Sequence, residues 1–94
     1  MTLTFSPAAV ADIGTIWDYT AETWGIGQAD RYVDDIRNTC VALAEGKRAG
    51  RRVDLLDGYL KLPVGRHLIF FRHVGTGIVV IRVLHQSMDI ERHL

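Results

Sequence analysis

The chain has 94 residues, of which 48% are hydrophobic, and its 11 basic residues balance its 11 acidic ones. This length fits one domain, residues 1–94, and the apolar content excludes a disordered, highly charged chain. A net charge of zero gives no reason to expect nucleic-acid binding by the protein as a whole. A local basic patch could still be present at zero net charge.

The single cysteine, Cys40, excludes an internal disulfide and suits a reducing compartment. Met1 leads straight into a short strand-like run, without the basic and apolar regions of a signal peptide. No apolar run has the length of a membrane span. We therefore expect a cytoplasmic protein with no membrane attachment, and the sequence gives no reason to expect a metal or a cofactor.

The N-terminal half predicts one strand and two helices. Thr2–Phe5 alternates polar and apolar residues, as a short strand does. Ser6-Pro7 is a strong helix start, because serine caps the first turn and proline loses no hydrogen bond there. Gly25 and Gly27 end the first helix, and both helices carry an apolar stripe. The two stripes are Val10, Ile13, Trp17, Thr20 and Trp24, and then Ala29, Val33, Ile36, Cys40 and Leu43.

The segment 46–58 is basic and begins at Gly46, where the second helix is expected to end. We interpret it as an exposed loop, followed by a turn in which Leu55 and Leu56 pack back toward the core. The basic residues of the loop are Lys47, Arg48, Arg51 and Arg52.

The last third predicts a three-stranded antiparallel meander. Its runs of β-branched and aromatic residues are Tyr59–Leu62, Arg66–Val74 and Ile78–Leu84. The breaks between them are too short for parallel crossovers. The fold class is therefore α+β, in the order β-α-α-β-β-β, with a helical hairpin packed on a small antiparallel sheet. If the first strand joins the meander, it pairs with an edge strand, and the pattern does not say which one.

Several basic side chains and histidines fall in or beside these strands. Strand alternation places Ile78, Val80, Arg82 and Leu84 on one face of the last strand. Basic groups on a sheet face can line a nucleic-acid groove or stabilise a phosphate in a nuclease site. The commoner alternative is that they stay in water or pair with Asp54, Asp57 or Asp89, since such long side chains extend readily from half-buried positions. The residues concerned are Lys61, Arg66, His67, Arg72, His73, Arg82 and His85.

The remaining reactive or aromatic side chains have simple interpretations. His85 and His93 fit surface or structural histidines better than acid–base or metal roles. Cys40 lies on an apolar helix stripe, which predicts a buried, unreactive thiol. Trp17 and Trp24 stand seven residues apart on one helix face, which favours core packing over a stacking platform.

The segment 83–89, Val-Leu-His-Gln-Ser-Met-Asp, resembles the ending of the ParE family of bacterial toxins, within the RelE/ParE superfamily. Three other features agree with that family. They are the Ser-Pro-Ala-Ala run after the opening strand, the Trp24-Gly25 corner, and the Leu-Ile-Phe-Phe-Arg strand that follows Gly65. The resemblance covers the whole chain in order and length.

Resemblance to this family implies a toxin that poisons DNA gyrase and is neutralised by a ParD-like antitoxin made beside it, with operator DNA bound only through the antitoxin. The RelE branch instead contains ribosome-dependent messenger-RNA nucleases. These are expected to carry an arginine opening the third strand, a second beyond the fourth, and a tyrosine near the C-terminus. The corresponding positions hold His67, with Arg66 beside it, and Ser87, and no tyrosine follows Tyr59. This departure favours a gyrase poison with no catalytic residues of its own.

The resemblance also suggests where the partners bind. The tail would be anchored on the sheet by Met88, Ile90 and Leu94. The expected target-binding residues are His85, Gln86, Ser87, Met88 and Asp89. A partly exposed apolar groove on the hairpin, together with the basic loop, would bind the antitoxin. Its expected residues are Val10, Ile13, Trp17, Trp24, Tyr32, Val33, Lys47, Arg48, Arg51 and Arg52.

Two alternatives remain open at this level. One is a RelE-like endoribonuclease that uses Lys61, Arg66, Arg82 and His85. The other is an inactive family member that only binds its antitoxin.

Overall fold

The computed structural model describes residues 2–54 and 56–94, except for the side chain of Glu91. Its elements follow the predicted order, with a two-residue strand and a short C-terminal helix in addition. They are β1 (Leu3–Phe5), α1 (Pro7–Trp24), α2 (Ile26–Ala44), β2 (Arg51–Arg52), β3 (Leu60–Val64), β4 (His67–Val74), β5 (Gly77–His85) and α3 (Ile90–His93).

The five strands form one sheet in the order β1-β5-β4-β3-β2. The predicted meander of β3, β4 and β5 is confirmed, with antiparallel pairing at both of its junctions. β1 joins the edge strand β5, as expected, but runs parallel to it, with Leu3 opposite Ile78. The sheet is therefore mixed rather than wholly antiparallel. The hairpin and the meander together connect β1 to β5, and this long connection makes a parallel pairing possible.

Ser6 fixes the start of α1 as predicted. Its Oγ accepts a hydrogen bond from the Ala9 N–H (3.0 Å) and donates one to the Ile81 carbonyl (2.6 Å). These bonds hold the first turn against the sheet, where the small side chain of Ala9 is fully buried. The buried stripe is consequently Ala9, Ile13 and Ile16, and the predicted stripe is wrong at Val10 and Trp24, which are 59% and 74% exposed.

The α2 stripe is confirmed, since all five predicted residues are buried. Cys40 is 0% exposed, and burial raises the pKa of its thiol to about 11. The corner between the helices needs a single glycine, Gly25, whose φ of 96° favours a residue without a Cβ. Gly27, expected to lie in the corner, instead belongs to the first turn of α2.

A bulge in β5 changes which face its side chains occupy. Phe70 of β4 pairs with Arg82 and Phe71 pairs with Val80, so that Ile81 is the extra residue. Ile78, Val80 and Val83 consequently pack under the helices, whereas Leu84 packs on the opposite face. The simple alternation that grouped Ile78, Val80, Arg82 and Leu84 is therefore wrong beyond the bulge.

Apolar residues cover both faces of the sheet. The larger core lies between the sheet and the helices, and a smaller cluster of Val53, Phe70 and Leu84 lies on the far face. Leu56, Ile90 and Leu94 pack on the smaller cluster, as predicted for the turn and the tail. Met88 does not anchor the tail, because it is 46% exposed. The expectation for Leu55 lies outside the described residues.

The most extensive polar contact joins α1 to β5. Arg82 donates from Nε and Nη2 to the two carboxylate oxygens of Asp12, each at 2.8 Å, and the Val83 N–H donates to Asp12 Oδ2 at 2.9 Å. The third guanidinium nitrogen, Nη1, donates to the carbonyl of His93 at 3.1 Å. We call this set the edge clasp. Its acid, Asp12, was not among the three expected from the sequence.

Removing the carboxylate of the edge clasp should destabilise the fold. Asp12→Asn keeps the shape of the side chain but leaves the half-buried guanidinium without its counter-charge, at an expected cost of about 2 kcal/mol. Urea denaturation measures this cost. Asp18→Asn, an exposed change on the same helix, is the control and should cost less than about 0.5 kcal/mol. Equal stability of the two variants would contradict a stabilising role for the edge clasp.

Candidate binding surfaces

The residues expected at binding sites fall into three regions: the helical hairpin, the basic segment after it, and the turn after β5. The structure separates these regions and assigns several expected residues to the core.

The outer face of the hairpin exposes a smaller apolar set than expected. Ile13 and Val33 are 7% and 5% exposed and belong to the main core, so the expectation that they line an open groove is wrong. Each of them belongs to the buried stripe of its helix. Val10 and Trp24 are exposed, and they are joined by two apolar residues of α2 that the sequence pattern did not indicate, Ile26 and Val41.

Trp17 lies at the boundary between core and surface. Its ring packs against the main core while Nε1 donates to Asp30 Oδ1 of α2 at 2.9 Å. The bond ties the two helices together and leaves the ring only partly available to a partner. The expected core packing is thus confirmed for Trp17 and wrong for Trp24, which is the most exposed of the large apolar residues that the structure describes.

Tyr32 is directed toward the turn between β3 and β4. Its hydroxyl lies 2.6 Å from His67 Nδ1 and accepts a hydrogen bond from the Arg66 N–H at 3.1 Å. A Cβ at Gly65 would come within 2.6 Å of the Tyr32 ring, and Gly65 has a φ of 56°. Both facts require glycine at this position. Tyr32 therefore has a structural role in supporting the turn.

His67 and His85 face each other at the end of the sheet. They are cross-strand partners, and their rings meet edge to face with centroids 5.3 Å apart. Burial and the neighbouring His85 lower the pKa of His67. His85 Nδ1 lies 2.7 Å from Ser87 Oγ and accepts a hydrogen bond from the Ser87 N–H at 3.2 Å. Tyr32, His67, His85 and Ser87 form a continuous set of contacts, which we call the histidine cluster.

The turn after β5 presents the expected target-binding residues to solvent. The Gln86 N–H donates to the Arg66 carbonyl, and the Met88 N–H donates to the His85 carbonyl, each at 2.9 Å. These bonds fix the backbone of the turn. The side chains of Gln86, Ser87, Met88 and Asp89 are exposed, and that of His85 is half-buried.

The basic segment is divided between two regions of the surface. Lys47 and Arg48 line an open groove of about 430 Å³ between α2 and β3, and Lys47 lies 3.5 Å from Glu45. The other lining residues are Asp35, Asn38, Thr39, Ala42 and Val64. Arg51 and Arg52 are not in the expected loop. They form β2, where they pair with Lys61 and Leu60.

The residues of the nuclease alternative do not assemble into one site. Arg66 and His85 lie near each other, because Arg66 bonds to Gln86 and His67 contacts His85. Lys61 pairs with Phe70, whose side chain packs on the far face of the sheet. Arg82 is engaged by the edge clasp. In the described part of the chain, no group of three or more His, Cys, Asp and Glu residues is placed to hold a metal ion.

The described helices include none that is long and apolar enough to cross a membrane. Three exposed features stand out: the α2–β3 groove, the turn after β5, and the exposed apolar residues of the hairpin, which we call the hairpin patch (Val10, Trp24, Ile26 and Val41). All three are surfaces suited to contact with another macromolecule rather than enclosed cavities.

Comparison with known proteins agrees with this description. Residues 3–90 match the family described as ParE toxin of type II toxin-antitoxin system, parDE. Toxin ParE1 of Mycobacterium tuberculosis is 43% identical over 91 residues, which cover 95% of this chain and 93% of that protein. Toxin ParE1 of Caulobacter vibrioides is 39% identical, with the same coverage. A solved structure, "Chromosomal ParDE TA system from P. aeruginosa", matches with a TM-score of 0.79 and 26% identity, over 90% of this chain and 95% of that one. The chain therefore belongs to the ParE toxin family of type II toxin–antitoxin systems.

Proposed function

We propose that this chain is a toxin that poisons DNA gyrase in the cytoplasm and is neutralised by a ParD-like antitoxin. The observation that carries the proposal is the contrast between two sets of residues. The candidate nuclease residues are distributed over both faces of the sheet, whereas the turn after β5 is exposed, mostly polar and held by backbone hydrogen bonds. Such a turn suits binding to a protein rather than cleavage of a phosphodiester.

The target surface is the turn 85–89, held in place by the histidine cluster. Ser87 orients His85, and the backbone bond from Gln86 to Arg66 ties the turn to the β3–β4 connection. A binding segment that is already ordered loses little conformational entropy when it meets its target. Gln86 and Met88 then supply an exposed hydrogen-bonding group and an exposed apolar group for the contact with gyrase.

The antitoxin surface has an apolar part and a charged part. Val10, Trp24, Ile26 and Val41 provide exposed apolar area on the hairpin, which an amphipathic helix of the antitoxin can cover. Lys47 and Arg48 provide positive charge at the α2–β3 groove for acidic residues of the same segment. The similar structure from P. aeruginosa is that of a ParDE system, which supports an antitoxin partner for this chain.

Of the three predictions that follow from this proposal, the first concerns the target. Purified toxin, incubated with gyrase, ATP and supercoiled plasmid, should trap cleaved plasmid that appears as linear DNA after denaturant and protease. Ribosomes programmed with messenger RNA should leave that RNA intact under the same toxin concentration. Codon-specific RNA cleavage with intact plasmid would favour the endoribonuclease instead. Antitoxin binding without either effect would identify an inactive family member.

The second prediction concerns the turn. Gln86→Ala combined with Met88→Ala should raise the toxin concentration needed for half-maximal gyrase poisoning at least about tenfold, equivalent to about 1.4 kcal/mol. Val74→Ala is the control, because Val74 is also exposed but lies at the end of β4 that is farthest from the turn after β5. Deletion of residues 87–94 is a poorer test, since it removes Ile90 and Leu94 from the far cluster. Equal potency of the double variant and the control would move the target site elsewhere.

The third prediction concerns the antitoxin. Trp24→Ala should weaken antitoxin binding by about 2 kcal/mol, or roughly thirtyfold, because a large exposed aromatic ring is the usual anchor of such an interface. Isothermal titration with purified antitoxin measures the change. Tyr19→Ala is the matched control, since Tyr19 is 60% exposed on another side of the same helix. Tyr32→Ala does not isolate binding, because Tyr32 also supports the turn at Gly65. Unchanged affinity for Trp24→Ala would exclude the hairpin patch.

A further inference from the structure

The zero net charge of the chain conceals a strong separation of charge. The two long helices, residues 7–44, contain six acidic and two basic residues. Residues 45–85, which form most of the sheet, contain three acidic and eight basic residues. The helices are therefore acidic and the segment that forms most of the sheet is basic, so a polyanion would approach the sheet rather than the helices.

Three cations on the far face of the sheet, away from the helices, form no ion pair with a described residue, unlike Arg82, which is paired with Asp12. Lys61 pairs with Phe70, which packs in the far cluster, and Arg51 lies directly opposite Lys61. Arg72 is two residues beyond Phe70 on β4 and therefore points to the same side. Its guanidinium lies 5.3 Å from the centre of the Tyr59 ring, which also packs on the far cluster. We call Arg51, Lys61 and Arg72 the sheet patch.

The sheet patch places two like charges directly opposite each other. Like charges placed directly opposite each other on neighbouring strands destabilise a sheet, and Arg51 faces Lys61 in this way. The ion pairs among the described residues are Lys47–Glu45, Arg82–Asp12 and Arg92–Asp89, so none neutralises the patch. Asp54 and Asp57 lie in the neighbouring turn, but neither forms an ion pair with a described residue. A bound anion would offset the repulsion between Arg51 and Lys61.

We propose that the sheet patch binds the phosphate backbone of duplex DNA, without reading base sequence. Arg51 and Lys61 have Cβ atoms about 5 Å apart, and the diagonal distance from Lys61 to Arg72 is about 7–8 Å. Such a row of cations can follow successive phosphates along one strand of a duplex. Cation–π contact with Tyr59 restricts Arg72 to the surface and so prepares it for a phosphate.

The surroundings of the patch favour duplex DNA over other polyanions. Binding of a single strand would require exposed aromatic rings on which bases can stack. Tyr59 does not provide one, because its ring is partly buried and its face is covered by Arg72. An acidic protein would need a central apolar anchor. Among the described residues of the strands on this face, the large exposed apolar residue is Val74, at the end of β4, whereas the hairpin carries Val10, Tyr19, Trp24, Ile26 and Val41.

This inference extends the proposed function, and its relevance to gyrase rests on that function. A toxin with one surface for the enzyme and another for DNA would hold the two components of the cleavage complex together. DNA binding by the patch is nevertheless a property of the chain alone. It can therefore be measured without gyrase, and its failure would leave gyrase poisoning as a separate question.

The test uses the full chain and a fluorescently labelled 20-base-pair duplex of arbitrary sequence, observed by fluorescence anisotropy. With three phosphate contacts, the logarithm of the binding constant should fall with the logarithm of salt concentration with a slope of about −2.7. Affinity should therefore fall about fortyfold between 50 and 200 mM salt, by the same relation. Changing the sequence of the duplex should leave the affinity unchanged.

Two double variants of equal charge locate the site. Arg51→Gln with Lys61→Gln should lower the magnitude of the slope by about 1.8 and weaken binding by tenfold or more at low salt. Its melting temperature should equal or exceed that of the parent, because the opposed charges are removed. Arg31→Gln with Arg37→Gln, on the acidic helices, should bind as the parent does.

Three results would overturn the proposal. They are undetectable duplex binding by the parent at low salt, equal losses in the two double variants, and tighter binding of labelled polyglutamate than of the duplex. The last result would identify an acidic protein segment as the partner of the sheet patch.

Discussion

The structure depends on how the open edge of β5 is satisfied. β1 pairs with β5 only along residues 78–80, and beyond that point α1 takes over as the neighbour. Ser6 bonds to the carbonyls of Val80 and Ile81, and Asp12 accepts the Val83 N–H as well as the guanidinium of Arg82. Beyond β1, the Ser6 cap and the Asp12 carboxylate thus bond to the backbone groups that a neighbouring strand would otherwise bond to. The edge of β5 is therefore not left as a template for pairing with another chain.

The bulge beside this edge determines the register at the end of the sheet that carries the histidine cluster. The tight turn pairs Val74 with Gly77, and an uninterrupted ladder from it would place His67 opposite Leu84. The extra residue, Ile81, shifts the register by one, so that His67 meets His85. The same shift directs Leu84 into the far cluster, where α3 covers it. Cap, bulge and histidine cluster therefore form one connected arrangement from α1 to the turn after β5.

Much of this fold was accessible from the sequence because its signals are local. Ser6-Pro7, the α2 stripe and the short breaks of the meander each reflect contacts between near neighbours in the chain, and all three were confirmed. The failures involve distant partners. Asp12 and Arg82 are separated by 70 residues, and the rotation of α1 that buries Ile16 and exposes Val10 follows from bonds to β5. The contact between His67 and His85 was not predicted either, because the bulge that pairs these two residues has no signature in strand alternation.

The central claim is that the turn after β5 contacts gyrase. A photo-crosslinking amino acid at position 86 tests it most directly, with the same group at position 41 on the hairpin as the control. Illumination of the toxin with purified gyrase, DNA and ATP should give a toxin–gyrase adduct from position 86 and none from position 41. Adduct formation from position 41 alone, or from neither position while gyrase is being poisoned, would contradict the account.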